Sequence, residues 1–163
     1  MNAGVNMIRV LFVCLGNICR SPMAEAIFRN RIEKEGLTDK IFVDSAGTGD
    51  YHIGKVPHEG TRELLDKYSI SYEGMLARQV NEGDWDEFNY IIAMDEQNIT
   101  NLKMVNEETD GVYIARLMDF VNNPREINVP DPYYTGDFDY TYELVSEGCS
   151  ELLDFIKEKH IIS

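Results

Sequence analysis

Short β-branched runs alternate along this chain with longer amphipathic stretches, joined by short connections, and that alternation restricts it to an α/β architecture. Ile8 to Val13 reads as a buried strand, Ile41 to Asp44 as a second, Tyr90 to Met94 as a third and Val112 to Leu117 as a fourth. After the first strand, Ser21 and Pro22 predict a helix N-cap and first helical position. Met23, Ala24, Ile27, Phe28 and Ile32 then recur three and four apart, with Gly36 as the expected stop. Pro57 opens a further helical stretch through Leu64, Leu65 and Tyr68. Glu96 to Met104 reads as a short helix, and Tyr140 to Lys159 as a long terminal one. Right-handed crossovers make such strands parallel, so the expectation is a three-layer α/β fold, a four-stranded parallel sheet with helices on both faces.

The chain has 163 residues, 44% of them hydrophobic, enough for one domain over 1–163 with a core that needs no staples. No apolar run approaches the roughly 18 residues of a membrane span, and Met1 to Asn6 shows no basic segment feeding an apolar stretch. A soluble, cytoplasmic protein is expected, export by a leaderless route staying open. Three cysteines do not make a secreted disulfide framework and read as thiols. Charge is lopsided: residues 1–80 carry ten basic and ten acidic side chains, residues 81–163 five and nineteen, so the whole net charge of −14 falls in the second half. Without a basic stripe to release counterions, nucleic acid and anionic membrane are not expected partners.

Ligands of parallel sheets bind beyond the strands' carboxyl ends, which directs attention to the loop after the first strand, Cys14-Leu15-Gly16-Asn17-Ile18-Cys19-Arg20-Ser21. Five residues between Cys14 and Arg20 let the backbone curl round one tetrahedral anion with its N–H groups inward, and the following helix adds its dipole. Arg20 can fork onto two phosphate oxygens, as a lysine could not. The donors that hold a phosphate also favour a thiolate, so Cys14 reads as a nucleophile. Ser21 is placed to hydrogen-bond its sulfur. Gly16 supplies backbone freedom, and Asn17 tolerates a left-handed conformation while fastening the loop. Attack on phosphorus needs a proton donor for the leaving oxygen. Asp131 is the candidate, in Val129-Pro130-Asp131-Pro132-Tyr133-Tyr134, where prolines fix the backbone and Tyr133 and Tyr134 offer aromatic walls.

Cys14 to Glu25 together with Asp131-Pro132-Tyr133-Tyr134 resembles the low-molecular-weight protein tyrosine phosphatases, over nearly the whole chain and in the family's motif order. The resemblance implies strand order 2-1-3-4 and hydrolysis of phosphotyrosine on proteins or peptides through a phosphocysteine intermediate, with inorganic phosphate as product and no metal or cofactor. It implies Cys14 as nucleophile, Arg20 as phosphate clamp, Ser21 as thiolate hydrogen-bond donor and Asp131 as general acid, then base. Asn17 and Ser45 match a bracing network, Leu15, Tyr51, Tyr133 and Tyr134 the slot walls, and Asp95 a supporting aspartate. Cys19 matches the partner of the nucleophile in a disulfide that closes under peroxide, giving redox regulation. One departure is visible. Many relatives carry a histidine shortly before Ala-Arg-Gln, where this chain has Gly74-Met75-Leu76, so the support of Asn17 must be built differently.

His52, His58 and His160 show no metal-ligand spacing and read as surface residues; no metal is assigned. Cys149 reads as packed core, and Trp85 as an anchor for an acidic loop. Sibling chemistries share the loop. A phosphoarginine phosphatase tends to carry threonine where this chain has Ile18, and to lack the paired tyrosines; an arsenate reductase needs further cysteines beyond Cys19, and only Cys149 remains. A binding module that reads phosphotyrosine without turnover is opposed by the full set Cys14, Arg20, Ser21 and Asp131. A dinucleotide binder lacks its glycine fingerprint.

Overall fold

In the computed structural model, which describes residues 7–162, four strands form the sheet: β1 (Ile8–Cys14), β2 (Ile41–Gly47), β3 (Tyr90–Ala93) and β4 (Tyr113–Arg116). The reading of Met1 to Asn6 lies outside the described residues. The order is β2-β1-β3-β4 and every pairing is parallel, with Ile8 opposite Ile41, Cys14 opposite Gly47 and Val13 opposite Ala93. Side chains alternate faces along β1. Val10 and Phe12 enter a core with Met23, Phe28, Leu144 and Leu152, whereas Leu11 and Val13 enter a second core with Trp85, Phe88 and Leu102. Trp85 is thus buried, as expected of an anchor, and Cys149 lies wholly inside the first core. Among the described residues no helix is long and apolar enough to cross a membrane.

Helix α1 spans Arg20–Lys34 and starts two residues earlier than the Ser21-Pro22 pair suggests, with Cys19 at the N-cap position. The Ser21 hydroxyl is turned to the Cys14 sulfur rather than to a helix N–H. Pro22 then falls at the third helical position, where no intrahelical acceptor waits for an N–H and its ring costs nothing. The stop at Gly36 stands: its φ is +71°, Leu37 N–H bonds the Ile32 carbonyl at 2.9 Å and Gly36 N–H that of Glu33 at 3.2 Å, a left-handed closure.

Helix α2 (Glu59–Lys67) is capped by His58, whose Nδ1 accepts the Gly60 N–H at 3.0 Å. Three single-turn elements were not readable from periodicity: α3 (Asp84–Glu87), a 3-10 turn at Leu117–Phe120 and α5 (Pro132–Thr135). Helix α4 (Glu96–Val105) opens on a capping box between Asp95 and Asn98, and α6 (Phe138–His160) packs along α1. All four strands deliver their carboxyl ends to one edge, where β2 stops at Gly47 beneath the loop after β1. A Cβ on Gly47 would stand 2.8 Å from the Leu15 carbonyl oxygen and 3.2 Å from the Asn17 Cβ.

Candidate active site

The loop from Cys14 to Arg20 is held by its carbonyls. Those of Cys14 and Leu15 accept the N–H groups of Thr48 and Gly49, each at 2.9 Å; that of Ile18 accepts His58 N–H at 2.7 Å, and that of Cys19 the Thr61 hydroxyl at 3.2 Å. With the carbonyls drawn outward, none of the backbone N–H groups from Leu15 to Arg20 finds a protein acceptor among the described residues. Six consecutive donors beside one sulfur make a concave nest for an anion. Asn17 turns the chain at φ +57°, as expected of it.

Donor logic fixes the bonds behind the loop. The Arg78 N–H can only donate, so it holds Asn17 Oδ1 at 3.0 Å and aims Nδ2 at Ser21 Oγ (2.8 Å) and Ser45 Oγ (3.0 Å). Ser21 Oγ, already accepting there, has its own proton free for Cys14 Sγ at 3.0 Å, nearer than the Ala46 carbonyl at 3.5 Å. The Ser21 backbone N–H also points at the sulfur, at 3.5 Å. Ser45 passes its proton to Glu25 Oε1 at 2.6 Å. Burial pushes the Glu25 carboxyl upward, with the Ser45 and Arg29 contacts pulling it back. The Arg78 main chain supports Asn17, and the Arg78 guanidinium is anchored on Asp84 (3.0 Å) and Asp44 (3.2 Å). Met75 is in the core.

Arg20 is 2% exposed. Its Nη1 donates to Asp95 Oδ2 at 2.6 Å and the Val129 carbonyl at 2.9 Å, and Nη2 reaches Asp131 Oδ2 at 3.4 Å. Its buried Nε has no hydrogen-bond partner among the described residues. Burial alone would lower its pKa, but Cys14, Asp131 and Asp95 outweigh that and raise it. The other two thiols are disfavoured as nucleophiles: burial, then Asp131 and Cys14, push Cys19 up to about 12, and burial pushes Cys149 up as well.

A cavity of about 410 Å³ opens above Cys14. Leu15, Gly16, Ile18 and Cys19 form its floor, and Tyr51, Asp131, Tyr133 and Tyr134 its walls. Asn17, Ser21 and Ser45 are buried behind the loop, and Asp95 acts through Arg20 while capping α4. Asp131 caps α5, its Oδ1 accepting the Tyr133 N–H at 3.0 Å. Reading every histidine as a surface residue needs correction for two of the three. His52 lines the cavity and His58 lies half-buried at the start of α2; their rings flank Tyr133, with centroids at 6.1 and 5.9 Å. Neither has a metal-ligand or helical spacing in sequence. The available signal was Pro57-His58-Glu59 at a helix start, where an imidazole can take a cap position.

A family model described as low molecular weight phosphotyrosine protein phosphatase matches residues 9–161. The chain is 56% identical over 156 residues to the low molecular weight protein-tyrosine-phosphatase YfkJ of Bacillus subtilis, covering 95% of this chain and 100% of that one. With the crystal structure of YfkJ the TM-score is 0.91 at 55% identity, over 94% of this chain and 96% of that one. It is 49% identical over 150 residues to PtpA of Staphylococcus epidermidis, covering 92% and 94% of the two chains. The structure of a Drosophila arginine phosphatase is also similar, with TM-score 0.84, 33% identity and coverage of 92% and 98%.

Proposed function

The chain belongs to the low molecular weight phosphotyrosine protein phosphatases and is an enzyme of that kind, and from this premise we propose a mechanism in which Cys14 is the nucleophile, Arg20 the clamp and Asp131 the proton carrier. The observation that carries it is the run of six unpaired N–H groups closing round the Cys14 sulfur. In the first step the thiolate attacks phosphorus in line with the phenolic oxygen. The S–P bond forms, the P–O bond breaks, and the Asp131 carboxyl gives its proton to the leaving oxygen. In the second, Asp131 takes a proton from a water that attacks phosphorus, and the S–P bond breaks to release inorganic phosphate. The Ser21 hydroxyl steadies the departing thiolate. Arg20 offers Nε and the free hydrogen of Nη2 to two equatorial oxygens, the edge left over once Nη1 is committed.

Tyrosine-phosphorylated proteins or peptides are the proposed substrates. The walls Tyr51, Tyr133 and Tyr134 offer aromatic surfaces to an aryl group, and Ile18 gives the floor an apolar side. The three described thiols are free, which supports work in the cytoplasm. The test is initial-rate hydrolysis of one peptide sequence carrying phosphotyrosine, phosphoserine or phosphoarginine, with a metal chelator present. Phosphotyrosine is expected to exceed both others in kcat/KM by more than about tenfold. Phosphoarginine turned over faster would move the enzyme to the arginine-phosphatase chemistry that its structural relative's title names.

Redox control is proposed on the same residues. Peroxide converts the Cys14 thiolate to a sulfenic acid, and the Cys19 thiol, which lines the same cavity, condenses with it to a disulfide and water. A thiol reductant then restores both thiols. The parent is expected to regain its activity on reduction after peroxide, and Cys19→Ser to lose it irreversibly; equal recovery in the two would sink the idea.

A further inference from the structure

His58 joins several parts of the site. Its N–H holds the Ile18 carbonyl at 2.7 Å, and its Nδ1 caps α2 through Gly60 at 3.0 Å. The cap fixes the ring plane. One face of that ring stacks on Phe138, the first residue of α6, with centroids 5.2 Å apart and planes inclined by 24°. Tyr133 stands edge-on to it at 5.9 Å. Phe138 in turn needs a bare helix start: a Cβ on Gly60 would lie 2.4 Å from its ring. The Tyr133 main chain holds Asp131, its N–H bonding Oδ1 at 3.0 Å. A continuous line of contact therefore runs from the phosphate loop through the imidazole to the Asp131 carboxyl, which lines the same cavity as Cys14.

Capping alone does not explain the residue. Asp, Asn and Ser are the strong N-caps, and each would satisfy Gly60 N–H at least as well. What imidazole adds is a flat apolar face with an acceptor at its edge, so that one side chain can cap a helix and carry two aromatic rings. We propose that His58 is a positioning residue for the acid loop, acting through Tyr133 to hold Asp131 over the leaving oxygen. This rests on Asp131 being the general acid.

The test separates ring from cap. His58→Asn keeps a capping acceptor and removes the ring; His58→Phe keeps a ring and removes the cap. The readout is the ratio of kcat/KM on phenyl phosphate, whose leaving group needs a proton, to that on 2,4-dinitrophenyl phosphate, whose leaving group does not. A mislaid acid lowers this ratio, whereas general loosening lowers both values together. His58→Asn is expected to lower it about three- to tenfold, the scale of one lost aromatic pair, and His58→Phe to restore it while melting earlier. An unchanged ratio in His58→Asn would overturn the proposal, as would a folded His58→Phe whose ratio stays low. Asp131→Asn is run beside them. If its ratio does not fall either, the acid assignment fails and the positioning role falls with it; if it falls while His58→Asn stays level, only the positioning role is lost.

Discussion

Cys14→Ser is expected to lose hydrolysis by more than about 10⁴-fold while still binding a phosphotyrosine peptide. An alcohol is a far weaker acid than a thiol, so the nest and the Ser21 proton that suffice for a thiolate leave the hydroxyl neutral. The fold has no reason to suffer, because the contact of 3.0 Å with Ser21 Oγ becomes an ordinary O–H···O bond and the six N–H donors stay in place. Rates on an aryl phosphate with chelator present, beside calorimetric titration of the peptide, separate the two properties. Residual turnover above about one part in a hundred would place the nucleophile elsewhere.

The second large effect falls on Asp131→Asn. The substitution keeps the shape and can still accept the Tyr133 N–H, so α5 keeps its cap, but it has no proton to give. On phenyl phosphate kcat/KM is expected to fall by about 10²- to 10³-fold, within the range of general acid catalysis, and on 2,4-dinitrophenyl phosphate by far less. A further sign follows from the 3.4 Å contact with Arg20 Nη2. Removing a carboxylate that competes for the guanidinium and repels a dianion should lower the inhibition constant for inorganic phosphate. Equal losses on both esters would mean that the carboxyl orders the loop and does not move a proton.

What the sequence made legible was whatever is contiguous. Cys14 to Ser21 is one stretch whose spacing carries its own geometry, and the apolar runs at 10–14 and 90–93 announce the two central strands. The opposing cores on either side of β1 follow from the same alternation. Illegible features depend on partners far along the chain. His58 meets Tyr133 and Phe138 only once α2 and α5 are in place, so no local pattern marks it. The support of Asn17 comes from the Arg78 main chain, and a backbone N–H has no letter in a sequence. Helix α1 starts two residues before the Ser21-Pro22 signal because the Cys14 sulfur outbids a helix cap for the Ser21 hydroxyl.

Gly47 gives the site a kind of weakness that alanine scanning does not register. Such scans ask what each side chain contributes, and this residue contributes by having none: the phosphate loop lies directly on its α-carbon, 2.8 Å from where a methyl group would sit. Any side chain at that point presses on the Leu15 carbonyl and on Asn17, within the loop whose six N–H dipoles gather round one sulfur. Inherited variation in this enzyme therefore has two unequal territories. The rim, where Tyr51, Tyr133 and Tyr134 face solvent, has room for other side chains, whereas Gly47 behind the loop has none unless the loop moves.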